Sequence, residues 1–205
     1  MPSLAAPQPA PDAVSEGAQL DMQDIYRKAR HVRVAIFDVD GVLTDGALYY
    51  SDSGAEVKAF NVRDGQGLKM LQAGGVETAI ITSRSSPALA QRARDLGIEL
   101  LFQGVAEKLP ACRALLQRLG LEPGAAACIG DDIADLPLLR HCGFAVSVPD
   151  APAVVRRAAH YVTQVGGGRG AARELCELIL HAQGALGAQL AAYHLADRAA
   201  DGKGG

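Results

Sequence analysis

Short apolar runs without polar alternation recur along the chain, and each one is followed by a segment with helical patterning. The runs cover 32–37, 76–82, 99–102, 126–129, 144–148 and 161–162. Consecutive apolar residues are typical of a strand that is buried on both faces, as in a parallel sheet. Strands that alternate with helices favour a doubly wound sheet. The sequence therefore predicts an α/β fold with a Rossmann-like, doubly wound parallel sheet.

The first run ends in two aspartates within Val34 to Gly46, VAIFDVDGVLTDG. Asp38 and Asp40 lie just past its carboxyl end, which is where open α/β sheets bind ligands. Carboxylates this close repel each other unless a cation or a shared proton relieves them. A site made only of oxygen ligands favours Mg²⁺. The pattern predicts a magnesium site, whereas a lone aspartate here would indicate a helix cap or an Asx turn.

Polar residues also follow the later apolar runs. They are Thr82 and Ser83 after the second run, Lys108 beyond the third, and Asp131, Asp132 and Asp135 after the fourth. Taken singly, Thr82 is equally typical of an ordinary strand end and Lys108 of a solvated helix face. Because carboxyl ends of parallel strands meet at one edge of a sheet, we expect these residues to converge with Asp38 and Asp40.

The segment 46–62 has a different hydrophobic pattern, because apolar and polar residues alternate on either side of a Ser-Asp-Ser-Gly turn signal. It predicts a β-hairpin inserted after the first strand, with arms at 47–50 and 57–60. A hairpin this short is marginally stable alone. We expect it to pack against another subunit or to cover the mouth of the site; an ordinary surface hairpin is the alternative. No segment is long enough for a separate cap domain.

Two glycine-rich segments are further candidates for ligand binding. The segment 61–67 is interpreted as a polar loop before a helix at 68–73, in which Gly65 lets the backbone approach an anion and Arg63 and Lys69 supply positive charge. Three glycines at 166–168 precede Arg169. They indicate either a flexible linker or a loop pressed against a phosphate or a neighbouring subunit, with Arg169 reaching in.

The two ends of the chain are low in periodic pattern. Residues 1–20 are rich in Pro and Ala, and residues 184–205 in Ala and Gly, so we expect a disordered extension and a flexible tail around a domain at 21–183. No apolar run is long enough to span a membrane, and the first residues lack the pattern of a signal peptide. We therefore expect a cytoplasmic protein.

Charge and cysteine content exclude other classes. The net charge is −3 and no basic run occurs, so a nucleic-acid partner is not expected. The four cysteines are scattered without the paired spacing of a zinc site or a disulfide framework. We interpret Cys112, Cys128, Cys142 and Cys176 as buried thiols.

The strand-end motifs carry a family resemblance. The segments DVDGVLTDG, IITSR and GDDIAD, together with Lys108, resemble the four motifs of haloacid dehalogenase-type phosphohydrolases. The resemblance implies that Asp38 attacks phosphorus to give an aspartyl-phosphate, while Asp40 serves as general acid and then as general base. Thr82 would hydrogen-bond a phosphoryl oxygen and Lys108 would neutralise charge.

The same resemblance implies a metal site. Asp38, the backbone carbonyl of Asp40, and Asp131 would hold Mg²⁺. Asp132 and Asp135 would keep the metal ligands and Lys108 in place.

A closer resemblance covers about residues 23 to 184. FNVRDGQGLK after the hairpin, FQG before Lys108, and YVT followed by GGGRGAARELCELIL are similar to the 3-deoxy-D-manno-octulosonate 8-phosphate phosphatase family. It implies a phosphatase acting on this sugar phosphate in lipopolysaccharide precursor synthesis. It also implies a ring-like homotetramer without a cap domain, in which the hairpin and the C-terminal segment help to shape a neighbour's active site.

The resemblance further implies that Arg63, Arg84 and Lys69 meet the sugar acid. Ser83 departs from the glycine that is usual in the family, and Lys69 from an arginine. A phosphatase for a nonulosonate 9-phosphate, of sialic-acid type, is the alternative within the same chemistry. A non-catalytic domain is disfavoured by the intact motifs, and a mutase by the lack of a cap that would exclude water.

Overall fold

The computed structural model describes residues 21–191. In chain order the strands are β1 (Val34–Phe37), β2 (Tyr49–Tyr50), β3 (Glu56–Val57), β4 (Glu77–Ile81), β5 (Leu100–Phe102), β6 (Ala126–Gly130), β7 (Phe144–Ser147) and β8 (Tyr161–Val162). The α-helices are α1 (Met22–Arg30), α2 (Val62–Ala73), α3 (Pro87–Leu96), α4 (Lys108–Leu119), α5 (Leu136–His141), α6 (Ala153–Ala158), α7 (Ala171–Ala182) and α8 (Leu186–Ala191).

Six strands form one parallel sheet in the order β5-β4-β1-β6-β7-β8. The chain builds outward from β1 to β5 and then returns to β6 on the other side of β1. This reversal is a topological switch point, where loops diverge and leave a crevice. Phe37 pairs with Ile80 of β4 and with Ile129 of β6, so the three central strands end at the same level. The predicted doubly wound parallel sheet is confirmed.

The core lies on both faces of this sheet. All four residues of β1 are buried, as its uninterrupted apolar sequence predicts. Helix α7 contacts α1 and α2, and α5 contacts α4 and α6. Right-handed crossovers place α2, between β1 and β4, and α5, between β6 and β7, on opposite faces of the sheet. The rigid centre of the sheet therefore supports the loops that follow β1 and β6.

The hairpin is present but shorter than predicted. Its strands pair Tyr49 with Val57 and Tyr50 with Glu56 in antiparallel register. The turn closes where Gly54 N donates to the Ser51 carbonyl at 2.8 Å. Two residues per strand give little ladder stability, so contacts outside the hairpin must hold it.

Helix α2 begins at Val62 and not at residue 68, so the prediction of a loop over 61–67 is wrong. Asn61 caps the helix by accepting a hydrogen bond from Arg63 N at 2.8 Å. Gly65 N donates to the Asn61 carbonyl inside the helix and is not available to an anion. A Cβ on Gly65 would lie 2.1 Å from Arg92 Nη2, which shows that this glycine permits close packing against α3.

The prediction of four thiols is also wrong, because Cys128 and Cys142 form a disulfide. Their Cα atoms are 6.3 Å apart, within the range that a disulfide spans. Cys128 lies in β6 and Cys142 follows α5, which packs against that strand. Cysteines that are scattered in sequence are brought together by this packing. Cys112 and Cys176 are buried free cysteines, as predicted.

The predicted tail begins with a helix, since α8 lies within 184–205. Leu186 and Leu190 of this helix pack against the core. The rest of the predicted tail, from residue 192, and the predicted extension at 1–20 lie outside the described residues. No helix within residues 21–191 is long and apolar enough to cross a membrane.

Candidate active site

Acidic side chains meet at the switch point between β1 and β6. Asp38 follows β1, and Asp131 follows β6. One carboxylate oxygen from each of Asp38, Asp131 and Asp135 lies within 4.8 Å of the others. The structure thus brings together two acidic motifs that are far apart in the sequence, at the edge of the sheet where they were expected to converge.

Gly41 makes room for this arrangement. Its φ of +92° lies in the left-handed region, which disfavours a side chain. A Cβ at this position would also lie 2.0 Å from Asp131 Oδ2. The glycine after the second aspartate of the motif therefore lets the loop turn and lets Asp131 approach it.

Lys108 bridges two of the carboxylates. Its Nζ is 2.7 Å from Asp38 Oδ1 and 2.6 Å from Asp135 Oδ1. The other oxygen of Asp135 accepts hydrogen bonds from the backbone amides of Asp131 and Asp132, both at 3.1 Å. Both oxygens of Asp135 are thus engaged. This carboxylate positions the lysine and the acidic loop, as a residue outside the metal's first ligands would.

The remaining residues of the second acidic motif support the loop. Asp132 is exposed, and its side chain caps the following turn by accepting from Ile133 N at 2.7 Å. Gly130 is required beside Asp135, because a Cβ on it would lie 2.4 Å from Asp135 Cγ. Asp132 therefore acts on the backbone of the loop.

Electrostatics favour a cation among these carboxylates. Burial, and then the neighbouring Asp135, raise the pKa of Asp38 to about 6, although Lys108 opposes the shift. Burial raises the pKa of Asp131 to about 7, with further contributions from Asp38 and Asp135. Burial alone would lower the pKa of Lys108, but the charges on Asp38 and Asp135 outweigh it and raise that pKa. Lys108 alone leaves excess negative charge in the cluster.

The donor set fits a hard divalent cation. Asp131 Oδ1 is buried and has no hydrogen-bond partner among the described residues. A buried carboxylate oxygen without a donor is costly, and a metal ion would satisfy it. Asp38 and Asp131 supply carboxylate oxygens, the ligand type that Mg²⁺ prefers. Among the described residues, Asp38 and Asp131 are therefore the candidate metal ligands, since both oxygens of Asp135 are engaged elsewhere.

Asp40 faces a different set of partners. Its carboxylate forms an ion pair with Lys58 and lies 3.6 Å from Arg84 Nε. Lys58 Nζ is also 3.0 Å from Glu56 Oε1, and Arg84 pairs with Glu56 as well. The hairpin therefore reaches over the site of its own chain, one of the alternatives that the sequence left open.

The sequence interpretation did not single out Lys58 or Glu56. A signal was present, because residues i and i+2 of a strand share a face and the hairpin was expected to reach the site. Glu56 and Lys58 flank the exposed Val57, and together they carry the opposite charges that Arg84 and Asp40 require. What the sequence lacked was the direction in which the hairpin folds.

Thr82 directly follows the neighbouring strand, β4. It is buried, and its Oγ1 accepts a hydrogen bond from Arg84 N at 3.4 Å. Ser83, beside it, is exposed. Because β4 adjoins β1, both residues stand at the same edge of the sheet as Asp38.

Other predicted substrate contacts are less tightly gathered. Arg63 and Arg169 are both exposed, and Arg63 Nη2 lies 3.5 Å from the Arg169 carbonyl. Lys69 is exposed farther along α2, about 9 Å beyond Arg63 by helical rise. The structure thus brings Arg63 and Arg169 together and separates Lys69 from them.

The glycine-rich segment at 166–168 packs against the loop after β1 of the same chain. Gly168 N donates to the Val42 carbonyl at 2.9 Å, and Asn61 Nδ2 donates to the Gly168 carbonyl at 3.0 Å. A Cβ on Gly167 would lie only 1.9 Å from the Gly41 carbonyl oxygen. The segment is a packing element behind the metal site, and glycine is needed for this close approach.

Asp64 ties this segment to α2. It is 2% exposed, and its Oδ1 accepts from Arg173 N at 2.9 Å in the first turn of α7. Burial raises its pKa, although these backbone hydrogen bonds oppose the shift. Helix α7 starts after Gly170, which has no side chain to cap it, so Asp64 supplies the cap from another helix.

Known proteins are similar to this chain in sequence and in fold. Residues 61–143 match the haloacid dehalogenase-like hydrolase family. The 3-deoxy-D-manno-octulosonate 8-phosphate phosphatase of Yersinia pestis is 47% identical over 163 residues, which cover 80% of this chain and 87% of the relative. The chain belongs to this phosphatase family. The phosphatase of the same name from Escherichia coli K12 is 45% identical, with the same coverage.

Solved structures in the family have the same fold. The phosphatase from Moraxella catarrhalis, crystallised with magnesium, phosphate and KDO, has a TM-score of 0.83 and 45% identity, covering 84% of this chain and 99% of its own. The cobalt-bound enzyme from Haemophilus influenzae has a TM-score of 0.76 and 44% identity, covering 78% and 94%. The resemblance inferred from the motifs is therefore confirmed.

Proposed function

We propose that this chain is a Mg²⁺-dependent phosphatase that hydrolyses 3-deoxy-D-manno-octulosonate 8-phosphate to the free sugar acid and phosphate. The observation that carries the proposal is the buried cluster of Asp38, Asp131 and Asp135 around Lys108, at the switch point of the sheet. It occurs in a chain whose relatives at 45–47% identity carry that enzyme name.

Asp38 is the nucleophile in this proposal. One of its carboxylate oxygens attacks phosphorus as the bond from phosphorus to the sugar oxygen breaks, which gives an aspartyl-phosphate. Lys108 lies 2.7 Å from Asp38 Oδ1 and offsets negative charge as the phosphoryl group arrives. Thr82 would donate a hydrogen bond to a phosphoryl oxygen.

Asp40 serves as general acid and then as general base in this proposal. As a carboxylic acid it gives its proton to the departing sugar oxygen, which leaves as the alcohol. The carboxylate so formed then takes a proton from a water molecule that attacks the aspartyl-phosphate. Cleavage of the acyl-phosphate bond releases inorganic phosphate and restores Asp38.

Asp38 and Asp131, with the backbone carbonyl of Asp40, are the groups that would hold Mg²⁺. The bound ion would supply positive charge that lets a carboxylate approach an anionic phosphoryl group. Asp135 and Asp132 hold the loop that carries Asp131.

Basic residues at the rim are suited to the sugar acid, whose carboxylate requires charge-assisted partners. Arg84 is 43% exposed in its side chain and lies next to Asp40. Arg63 and Arg169 are exposed beside the glycine-rich segment. Ser83 would contact the phosphate end of the substrate, whereas Lys69 stands farther out on α2.

We further propose a cytoplasmic homotetramer with active sites near subunit interfaces. The hairpin supports this assembly, because Leu48, Tyr50 and Val57 are 49%, 62% and 52% exposed. Exposed apolar side chains grouped on one element are typical of an interaction site. Sedimentation equilibrium would give the mass of a tetramer, and the mass of a monomer would contradict this part of the proposal.

A panel of sugar phosphates tests the activity. Phosphate release is measured for the octulosonate 8-phosphate, a nonulosonate 9-phosphate and common hexose phosphates, with and without a chelator. We expect the highest kcat/KM for the octulosonate ester and complete loss with chelator. Preference for the nonulosonate ester would replace the substrate assignment, and activity that survives chelation would overturn the metal mechanism.

A further inference from the structure

We propose that Lys58, on the hairpin, is a positioning residue that holds the Asp40 carboxyl group in place for proton transfer to the leaving oxygen. This inference rests on the proposed phosphatase function, in which Asp40 is the acid. The observation behind it is the ion pair between Lys58 and Asp40, two residues that are brought together only by the folding of the hairpin over the sheet edge.

Burial distinguishes Lys58 from an ordinary surface lysine. Its side chain is 4% exposed, although it belongs to a short hairpin whose other residues are largely exposed. A lysine so enclosed needs anionic partners, because an unpaired ammonium group is costly to remove from water. Both partners are present, since Nζ contacts Asp40 and lies 3.0 Å from Glu56 Oε1.

The four charged groups form a closed ring. Lys58 contacts Asp40 and Glu56, and Arg84 contacts the same two carboxylates. Each cation thus lies between two carboxyl groups, and the ring is neutral when Asp40 is ionised. It joins three segments of the chain: the loop after β1, the hairpin, and the loop after β4. The ring therefore helps to fix the hairpin over the site, together with the hydrogen bond from Tyr49 to Asp45.

The two cations of the ring differ in exposure. The Arg84 side chain is 43% exposed and can turn toward a substrate carboxylate, whereas Lys58 is enclosed. Arg84 also stands 3.6 Å from Asp40, a looser contact than the Lys58 pair. When substrate engages Arg84, Lys58 remains as the group that holds Asp40.

Position matters because proton transfer needs the two heavy atoms within hydrogen-bond distance. Without Lys58, the Asp40 carboxyl group can rotate toward Arg84 or solvent, and the hairpin loses one of its ties to the loop after β1, although Tyr49 still donates to Asp45. The predicted defect is specific. It falls on the step in which the leaving oxygen needs a proton and spares a leaving group that does not.

The experiment compares Lys58→Met with wild type on two esters. The octulosonate 8-phosphate has an alcohol leaving group, and p-nitrophenyl phosphate has a stable phenolate. The value of kcat/KM reports the first phosphoryl transfer. We expect a loss of about 30-fold for the sugar ester and of less than about 3-fold for the phenyl ester, because general acid catalysis contributes about 10² to 10⁴ in rate. Lys58→Arg should recover most of the loss.

Asp52→Asn is the matched control, since it also removes a charge from the hairpin but lies in the exposed turn. It should change neither ester by more than about 2-fold, in line with exposed substitutions. Lys58→Gln replaces Lys58→Met if the latter does not fold by circular dichroism. Equal losses on both esters, no loss on either, or a larger loss on the phenyl ester would overturn the positioning role.

The wild-type measurements keep this inference separate from the substrate assignment. Turnover of p-nitrophenyl phosphate without turnover of the octulosonate ester would contradict the proposed substrate only. The comparison would then use the alkyl phosphate with the highest kcat/KM in the panel, where the same selective loss is expected.

Discussion

The active site has two sides that are built differently. The metal side, with Asp38, Lys108, Asp131 and Asp135, stands on the ends of buried parallel strands and on the start of α4. The proton side, with Asp40, Lys58, Glu56 and Arg84, depends on a hairpin of two residues per strand. The metal side is held by the core of the protein, whereas ion pairs hold the proton side.

This difference suggests a division of labour. Phosphoryl transfer requires fixed charges, and strand ends in a packed sheet provide them. A sugar must enter and leave, and a hairpin attached by partly exposed ion pairs permits this at low cost. The following predictions test whether the two sides respond separately, from the largest effect to the smallest.

Asp38→Asn should reduce kcat by at least about 10⁴-fold, because the nucleophile is removed. The same change should leave the metal-free protein at least as stable at neutral pH. Burial raises the pKa of Asp38, so folding disfavours its charged form and a neutral amide avoids that cost. Phosphate release and thermal melting measure the two effects. Activity within tenfold of wild type would exclude Asp38 as nucleophile.

Mg²⁺ affinity should fall about 10-fold or more between pH 8 and pH 6, as measured by calorimetric titration. The pKa values of Asp38 and Asp131 are raised to about 6 and about 7, so protons compete with the metal in this range. Asp131→Asn should weaken binding and flatten this pH dependence. Affinity that is constant over the range would contradict a metal site made of these carboxylates.

Stability without metal should show the opposite trend with pH. An acid whose pKa is higher in the folded protein than in the unfolded chain stabilises the fold while protonated, and this contribution is lost as pH rises. The loss runs from the ordinary pKa of 3.8 to about 6 for Asp38 and to about 7 for Asp131, so part of it falls above pH 5.5. Metal-free protein should therefore have a lower melting temperature at pH 7.5 than at pH 5.5, once the contribution of other titrating groups is subtracted. Mg²⁺ should reverse this difference. A higher melting temperature at pH 7.5 without metal, unchanged by Mg²⁺, would show that protons and metal do not compete for these carboxylates.

Gly167→Ala should destabilise the fold by about 2 kcal/mol, since overpacking typically costs 1 to 3 kcal/mol. Its Cβ would lie 1.9 Å from the Gly41 carbonyl oxygen, so the loop after β1, which carries Asp38 and Asp40, must shift. Activity should fall with stability, because the metal side depends on this loop.

Gly187→Ala is the matched control, because a Cβ there meets no atom within 4 Å. It lies in α8, where alanine favours a helix by about 0.5 to 1 kcal/mol over glycine. Urea unfolding compares the two variants. Equal midpoints would show that Gly167 does not require its small size.

Glu56→Gln should have the smallest effect, below about 1 kcal/mol in stability, because its ion pairs are partly exposed. It frees Arg84 from one carboxylate, so KM for the sugar acid should fall by about 2-fold to 3-fold with kcat nearly unchanged. Steady-state kinetics measure both constants. A large fall in kcat would contradict this expectation and would show that Glu56 is needed, through Lys58, for the position of Asp40.

Much of the metal side could be predicted from the sequence. The apolar run before Asp38 and the run before Asp131 each indicate a buried strand, and residues at the ends of such strands converge on one edge. Lys108 was expected beyond the third strand and at the same edge, and it is the first residue of α4. These inferences needed only local patterns and the known geometry of parallel sheets.

The proton side and the packing behind the site could not be predicted in this way. The partnership of Lys58 with Asp40 depends on how the hairpin turns, and no local pattern encodes that direction. The glycines at 65 and 167 were interpreted as ligand-binding or linker positions. In the structure, Gly65 leaves room for α3 and Gly167 leaves room for the loop after β1. The disulfide between Cys128 and Cys142 likewise follows from a helix packing on a strand.

The amino-acid sequence by itself determined the strand and helix alternation, the sheet edge that carries the chemistry, and the acidic groups at that edge. These follow from periodicity and from the residues that end each strand, which are local properties. The tertiary structure alone decided which charges pair across the site and which glycines are required. Those depend on distances between remote segments, and the packing of side chains sets such distances only in the folded chain.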